Sequence, residues 1–229
     1  GLPFFDIEAW RKPTAEGGCY DPALRIEDFA GRESFGGLDL ASRTDLTSLY
    51  YVFPDGEGRY VVFGRNWLPG DAVRSSGNAS YAAWVAGGWI TATEGAATDY
   101  GFVEREALSS SGAFTLRELA YDPHQAEYLI IRLEAQGVPI IEQRQGVLLS
   151  DAMKEFDALI VEGRIHHNGD PVLAWALANV VGRFDSFDNV KPTKEAEAQK
   201  IDPVIAVVMA LKRALVHQQQ VQPGAQIWF

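Results

Sequence analysis

Three aspartates in this sequence stand where a strand or helix begins or ends, beside apolar residues. Asp39 interrupts a run of glycine and leucine, Asp122 ends a β-type run before a proline, and Asp202 precedes a proline at the start of an apolar helix. An ionised carboxylate in such a setting is costly unless a cation neutralises it. Each residue also has a structural explanation: Asp39 and Asp122 as turn residues, and Asp202 as a helix N-cap.

Taken together, the three aspartates predict a site for divalent cations. Two acids on neighbouring central strands and one at the start of a C-terminal helix can converge on one edge of a mixed sheet. Carboxylate oxygens are the ligands that Mg²⁺ and Mn²⁺ prefer. Two such ions about 3.5–4 Å apart support the hydrolysis of phosphodiester bonds. Without a metal, carboxylates this close would raise one another's pKa values.

Periodicity and turn signals predict the elements that position these residues. Residues 48–53 and 59–63 read as a β-hairpin around a proline- and glycine-bearing turn, with Asp39 near the start of the preceding central strand. Residues 1–34 read as irregular and residues 68–77 as a loop. Further strands are predicted at 88–93, 114–121 and 138–141, and helices at 79–86, 98–108, 124–136, 152–162, 171–181 and 202–218. This order indicates an α/β domain with a mixed sheet.

The composition limits the function classes. With 229 residues, of which 47% are hydrophobic, the chain is long enough for a sizeable core. The lone Cys19 excludes an internal disulfide, and no apolar run approaches the ~20 residues of a membrane span. The net charge of −11 argues against a protein that coats nucleic acid, although an enzyme that cuts it needs clustered acids. Net charge alone therefore does not decide between these two classes.

Four segments carry a family resemblance that covers roughly residues 35–215. In chain order they are GGLDLASRTDLTSLYYVF, LAYDPHQAEYLIIRL, HHNGDPVLAWALANVV and KPTKEAEAQKIDPVIAVVMAL. They resemble the C-terminal nuclease domain of the large terminase subunits of tailed bacteriophages, of the type with HK97-like packaging systems. The resemblance implies an RNase H-like fold, close to that of Holliday-junction resolvases, in which helices flank a mixed central sheet. It also implies a nuclease domain at residues 35–229, on which residues 1–34, irregular in sequence, are expected to pack as a lead-in segment.

The same resemblance implies an endonuclease that uses two Mg²⁺ or Mn²⁺ ions to cut concatemeric double-stranded DNA with little sequence preference. The catalytic and metal-binding acids of the family carry over to Asp39, Asp122 and Asp202. Asp45 and Asp188 are weaker ligand candidates, because Asp45 can instead brace a loop and Asp188 can lie in an exposed turn.

Basic residues near these acids are expected to contact DNA. The alternative is that they form a solvated or packed face. The candidates are Arg183, Lys191, Lys194, Lys200, His166 and His167.

The resemblance also implies partners in a packaging motor: the portal protein, the small terminase subunit and neighbouring large subunits, in the cytoplasm of a bacterial host and without a membrane. The phosphate-cradling pattern GxxxxGK[ST] of the family's ATPase domain does not occur. We therefore expect a separate nuclease domain, monomeric when isolated, that does not hydrolyse ATP. Two alternatives stay open: a structure-selective resolvase or RNase H-type nuclease, and a portal-docking module with little activity of its own.

Overall fold

The computed structural model describes residues 1–124 and 127–221. Within these ranges the strands are β1 (Glu33–Asp39), β2 (Thr47–Pro54), β3 (Tyr60–Pro69), β4 (Ile90–Thr93), β5 (Thr115–Tyr121), β6 (Ile140–Glu142), β7 (Ile165–His166), β8 (Val181–Phe184) and β9 (Val190–Thr193). The α-helices are α1 (Ile7–Arg11), α2 (Gly70–Ser75), α3 (Ser80–Ala86), α4 (Tyr100–Ala113), α5 (Glu127–Ala135), α6 (Ser150–Val161), α7 (Pro171–Asn179) and α8 (Asp202–Val221).

The first seven strands of the described chain form one mixed sheet in the order β4-β3-β2-β1-β5-β6, with β7 beside the start of β3. Only β2 runs against the others, because β1 and β3 both pair with it antiparallel and the remaining pairs are parallel. The carboxyl ends of β1, β5 and β6 therefore lie at one edge of the sheet. Strands β8 and β9 form a separate antiparallel hairpin.

Helices cover both faces of the sheet, which explains why β2 lacks an alternating pattern. Tyr50 and Val52 pack on the face covered by α6, α7 and α8. Leu49 and Tyr51 pack on the opposite face, towards α4 and α5. A strand that is buried on both faces reads as a continuous apolar run. Each large apolar side chain that is fully buried in this way contributes about 1.5–3 kcal/mol to stability.

Helix α8 lies directly across β1, and a glycine makes this approach possible. A Cβ atom added to Gly37 would overlap the backbone carbonyl of Ala206. Farther along, the rings of Phe35 and His217 lie 5.3 Å apart. Residues farther along α8 thus contact residues nearer the start of β1, so the helix runs antiparallel to the strand. The N-terminus of α8 consequently lies at the carboxyl edge of β1.

Most predicted elements are confirmed, and the differences have local causes. Asp39 ends β1 instead of lying near the start of its strand, because the glycines before it pair with both β2 and β5. The predicted loop at 68–77 contains the end of β3 and the short helix α2. The predicted helix 171–181 ends at Asn179, where β8 follows. Residues 125–126 of the predicted helix 124–136 lie outside the described residues.

The first 34 residues are less irregular than expected, although a domain boundary at residue 34 stays a prediction. Helix α1 begins at an Asp6 cap, whose side chain accepts a hydrogen bond from the backbone of Ala9. Trp10 of this helix is fully buried and packs edge-on against Phe156 of α6. Among the helices of the described ranges, none has the length and apolar character needed to cross a membrane.

Candidate active site

Asp39 and Asp122 leave the sheet side by side. Leu38 of β1 lies opposite Tyr121 of β5 in the parallel register, and the next residue of each chain segment is an aspartate. Both aspartates are buried, with 5% and 9% of their surface exposed. The prediction that two neighbouring strands carry these acids is therefore confirmed.

Asp202 reaches the same edge from the helical layer. It is the first residue of α8 and lies one turn before Ala206, which crosses β1 at Gly37. Because α8 is antiparallel to β1, Asp202 lies beyond this crossing in the direction of Asp39. Three separate elements thus bring their aspartates to one edge of the sheet.

The surroundings of Asp202 suit a cation ligand. Its Oδ2 atom is buried and has no hydrogen-bond partner among the described residues. Burial and, secondarily, the charge of Asp45 raise the pKa of Asp202 to about 6. A buried carboxylate oxygen without a donor is costly for the fold unless a ligand uses it. This oxygen, together with an all-carboxylate donor set, fits a hard divalent cation such as Mg²⁺ or Mn²⁺.

The side chains are not drawn together as a finished metal cluster. Within residues 1–124 and 127–221, no three His, Cys, Asp or Glu side chains are grouped closely enough to hold a metal ion. Asp122 Oδ1 accepts a hydrogen bond from the backbone N–H of His124 at 2.9 Å. Asp39 Oδ1 accepts one from the side-chain amide of Gln145 at 3.2 Å. Cation binding would therefore require these carboxylates to turn towards one another, against the repulsion that separates like charges.

Asp45 forms an ion-pair cluster beside Asp202. The Nζ atom of Lys200 lies 2.7 Å from Asp45 Oδ1, and that of Lys194 lies 3.5 Å from the same oxygen. Burial raises the pKa of Asp45, but the two ammonium groups outweigh it and hold that pKa below its usual value. Asn179 of α7 donates to the backbone carbonyl of Lys200 at 2.9 Å and so fixes the chain just before α8.

A buried polar network runs across the sheet from Ser48 to Asp170, and the sequence alone did not identify it. Ser48, which lies opposite Asp39 in the β1–β2 register, donates to Asn66 at 2.8 Å. Asn66 donates to the Tyr50 hydroxyl at 2.8 Å, and Tyr50 donates to Asp170 at 2.6 Å. Asp170 also caps α7, and burial raises its pKa. The Asp170-Pro171 pair has the same capping signature as Asp202-Pro203, so the sequence did contain a signal for this cap.

The predicted basic contacts divide between exposed and buried positions. Arg183 and Lys191 lie opposite each other in the β8–β9 hairpin and are exposed, whereas Lys194 is partly exposed beyond the base of that hairpin. Lys200 is buried in its pair with Asp45. Asp188 lies exposed in the turn of the hairpin with φ of 59°, at the end opposite Lys194.

The two histidines are engaged within the domain. His167 is buried, and its ring stacks on that of Trp10 with a centroid distance of 4.0 Å. Its Nε2 donates to the carbonyl of Trp10 and its Nδ1 accepts from Gly169, an arrangement that fits a neutral ring. Burial lowers the pKa of His167 to about 4. His166 is half-buried in β7, with its Nε2 2.9 Å from the carbonyl of Gly163.

Comparison with known proteins identifies the family of this fold and site. Residues 3–218 match the family model of the terminase large subunit endonuclease domain. The chain belongs to this family. Over 231 residues it is 32% identical to the protein YmfN of Escherichia coli K12, a match that covers 95% of this chain and 50% of YmfN. Over 189 residues it is 30% identical to the terminase large subunit of Enterobacteria phage HK97, covering 80% of this chain and 38% of that protein.

Solved structures confirm the RNase H-like class of this terminase nuclease domain. The crystal structure of the HK97 large terminase superimposes with a TM-score of 0.76 at 28% identity, over 92% of this chain and 43% of that chain. The nuclease of phage G20c with bound magnesium superimposes with a TM-score of 0.53 at 13% identity, over 80% and 84% of the respective chains, and shows the fold alone. The present chain spans at most about half the length of YmfN and of the HK97 protein.

Proposed function

We propose that this domain is a divalent-metal-dependent endonuclease that cuts double-stranded DNA, with two Mg²⁺ or Mn²⁺ ions held by Asp39, Asp122 and Asp202. The observation that carries the proposal is that three aspartate-bearing element ends meet at one sheet edge, where Asp202 Oδ2 is buried and has no hydrogen-bond partner within residues 1–124 and 127–221. When bound there, the two ions supply Lewis-acid stabilisation and water of lowered pKa for attack on a phosphodiester. The G20c nuclease, which shares the fold, was solved with magnesium and with cobalt.

The chain's own residues orient and partly neutralise this site. Gln145 donates a hydrogen bond to Oδ1 of Asp39 and so orients this carboxylate. The Lys200 and Lys194 ammonium groups offset the negative charge that Asp45 adds beside Asp202. Asp39, Asp122 and the Oδ2 atom of Asp202 are buried, which lowers the local dielectric and strengthens the attraction of these carboxylates to a cation. Asp45, engaged by two lysines, serves as a brace for the 40–46 loop, and Asp188 has no part in the site.

The substrate in this proposal is concatemeric viral DNA, cut with little sequence preference while a genome is packaged. The similarity to the HK97 large subunit supports this role, as well as partners such as a portal protein, a small terminase subunit and neighbouring large subunits in a bacterial cytoplasm. Arg183, Lys191 and Lys194 are the DNA contacts among the basic residues predicted from the sequence, because each has an exposed or partly exposed side chain. His166 is half-buried, His167 is buried against Trp10, and Lys200 is buried in its ion pair with Asp45.

Cleavage of supercoiled plasmid tests the proposal. The assay compares the wild-type domain in Mg²⁺, Mn²⁺ and EDTA with Asp39→Asn, Asp122→Asn and Asp202→Asn, which keep side-chain size and remove the charge. Asp28→Asn is the matched control, since Asp28 is exposed on the segment before β1. Circular dichroism checks that each variant is folded.

We expect nicking and linearisation by the wild type and by the control in Mg²⁺ or Mn²⁺, and none in EDTA or with the three site variants. A folded site variant that retains full activity removes its aspartate from the site. A folded wild type that does not cut with either metal overturns the proposal for this chain and favours a docking module.

A further inference from the structure

The two loops that flank Asp39 each carry an exposed arginine whose guanidinium has no partner in the described part of the chain. Arg43 lies in the loop between β1 and β2, four residues after Asp39. Arg144 directly precedes Gln145, whose amide contacts Asp39. Neither guanidinium forms an ion pair, a side-chain hydrogen bond or a ring contact with a described residue. In contrast, Lys200 and Lys194 at the same edge are paired with Asp45.

The backbone around Arg43 is fixed, although its side chain has no partner among the residues that the structure describes. The Thr47 hydroxyl accepts from the N–H of Ala41 at 3.0 Å and donates to the carbonyl of Ala41 at 2.9 Å. Tyr100 donates to that same carbonyl at 2.9 Å. The carbonyl of Ser42 accepts from the backbone N–H of Thr98 at 2.9 Å. Arg43 is therefore presented from a braced loop.

The backbone around Arg144 is fixed in a similar way. The N–H of Gln143 donates to the carbonyl of Tyr121, the last residue of β5, at 2.8 Å. The side-chain amide of Gln143 donates to the carbonyl of Arg144 at 3.1 Å. On the other side, Gln145 is held by Asp39. Both arginines thus have anchored backbones and guanidinium groups that are unpaired among the described residues, and each lies on a loop that leads to or contacts Asp39.

We infer that Arg43 and Arg144 are a phosphate clamp that binds the DNA backbone on either side of the phosphodiester to be cut. The inference rests on the proposed function only in taking DNA as the substrate. A site built from aspartates in a chain of net charge −11 repels a polyanion, so cations beside it have to supply the attraction. Guanidinium groups bind phosphate through two parallel hydrogen bonds, and anchored backbones lower the entropy cost of ordering them.

The test measures binding of a fluorescein-labelled 30-bp duplex by anisotropy in EDTA, where cleavage does not interfere, at salt concentrations from 50 to 200 mM. The variants are Arg43→Gln, Arg144→Gln and the double variant. Arg32→Gln is the matched control, because Arg32 is exposed, has no ion pair among the described residues and directly precedes the opposite end of β1. Log K falls linearly with log salt, and removal of one phosphate contact makes this fall less steep by about 0.9.

We therefore expect each single variant to bind the duplex more weakly than the wild type. The ratio of the variant Kd to the wild-type Kd should fall by about 3.5-fold between 50 and 200 mM salt for each single variant, and by about 12-fold for the double variant. In Mn²⁺, these variants should raise KM for cleavage while kcat changes less than about twofold, because phosphate contacts bind ground state and transition state alike.

The control should match the wild type in every readout. If the salt slopes of both arginine variants equal that of the wild type, or if the wild type does not bind the duplex, the inference is overturned. Arginine-dependent binding without metal-dependent cleavage would leave the clamp intact and contradict the proposed function. Metal-dependent cleavage by the wild type, together with arginine variants whose salt slopes and KM equal those of the wild type, would support the proposed function and contradict the clamp.

Discussion

Replacement of Gly37 by alanine should damage both the stability of the domain and the position of Asp202. A Cβ at this position would overlap the carbonyl of Ala206, and backbone atoms cannot rotate away as a flexible side chain can. Helix α8 must therefore retreat from β1. Overpacking of this kind costs about 1–3 kcal/mol of unfolding free energy.

For a domain of this size, 1 kcal/mol corresponds to a shift in Tm of about 2–4 °C, so Gly37→Ala should lower Tm by roughly 2–12 °C. The catalytic effect should be larger, because a displacement of about 1 Å at a reacting site can cost on the order of 100-fold in rate. Asp202 lies only one turn from the point of overlap and moves with the helix. Differential scanning fluorimetry and single-turnover cleavage in Mn²⁺ measure the two effects.

Gly112→Ala is the control for the substitution itself. Gly112 lies within α4, and nothing lies within 4 Å of an added Cβ there. Alanine should stabilise this helix by about 0.5–1 kcal/mol and leave cleavage unchanged. If Gly37→Ala has the Tm and the cleavage rate of the wild type, α8 does not depend on Gly37 for its close packing against β1.

Three further predictions concern the buried charges. Burial raises the pKa of Asp202 to about 6, so this carboxyl ionises at a lower pH in the unfolded chain than in the folded one, and stability falls as the pH rises towards 6. Relative to Asp202→Asn, the metal-free wild type should therefore lose roughly 1 kcal/mol of unfolding free energy between pH 5 and pH 7, as measured by urea titration. A pH-independent difference between the two proteins would contradict this. Asp45→Asn should lower the unfolding free energy by about 1–2 kcal/mol, since it leaves the buried Lys200 ammonium without its carboxylate. The variant should still show the rise in Tm that 5 mM Mg²⁺ causes in the wild type, and loss of that rise would make Asp45 a metal ligand. Tyr50→Phe should cost about 1–3 kcal/mol in the same titrations because Asp170 loses a 2.6 Å hydrogen bond inside the core, and unchanged stability would show that the bond contributes nothing.

The elements that position the site could be predicted from the sequence because their signals are local. The apolar run of β2 ends in a proline- and glycine-bearing turn, and that pattern alone predicts the hairpin with β3. The proline after Asp202 marks the start of α8 in the same way. The prediction that Asp39 lies near the start of its strand was wrong, because the glycines before it, which favour turns elsewhere, belong to the strand and permit close packing here.

The contacts that tune the site could not be predicted, because they join residues far apart in the chain. Gln145 contacts Asp39 across 106 positions, and Lys200 contacts Asp45 across 155. A lysine near acids in the sequence reads as exposed, and only the packing of α7 and α8 shows that Lys200 is buried. Long-range pairing depends on topology, which local patterns do not encode.

Anomalous scattering from crystals of the domain soaked in Mn²⁺ would locate the metal ions themselves. We expect anomalous peaks between the carboxylates of Asp39, Asp122 and Asp202, with each of the three ligating at least one ion, and no such peaks in crystals of Asp202→Asn. Peaks that form only around Asp45 or Asp188, or a wild-type site that stays without Mn²⁺ at millimolar concentration, would contradict the claim that three element ends build one metal centre.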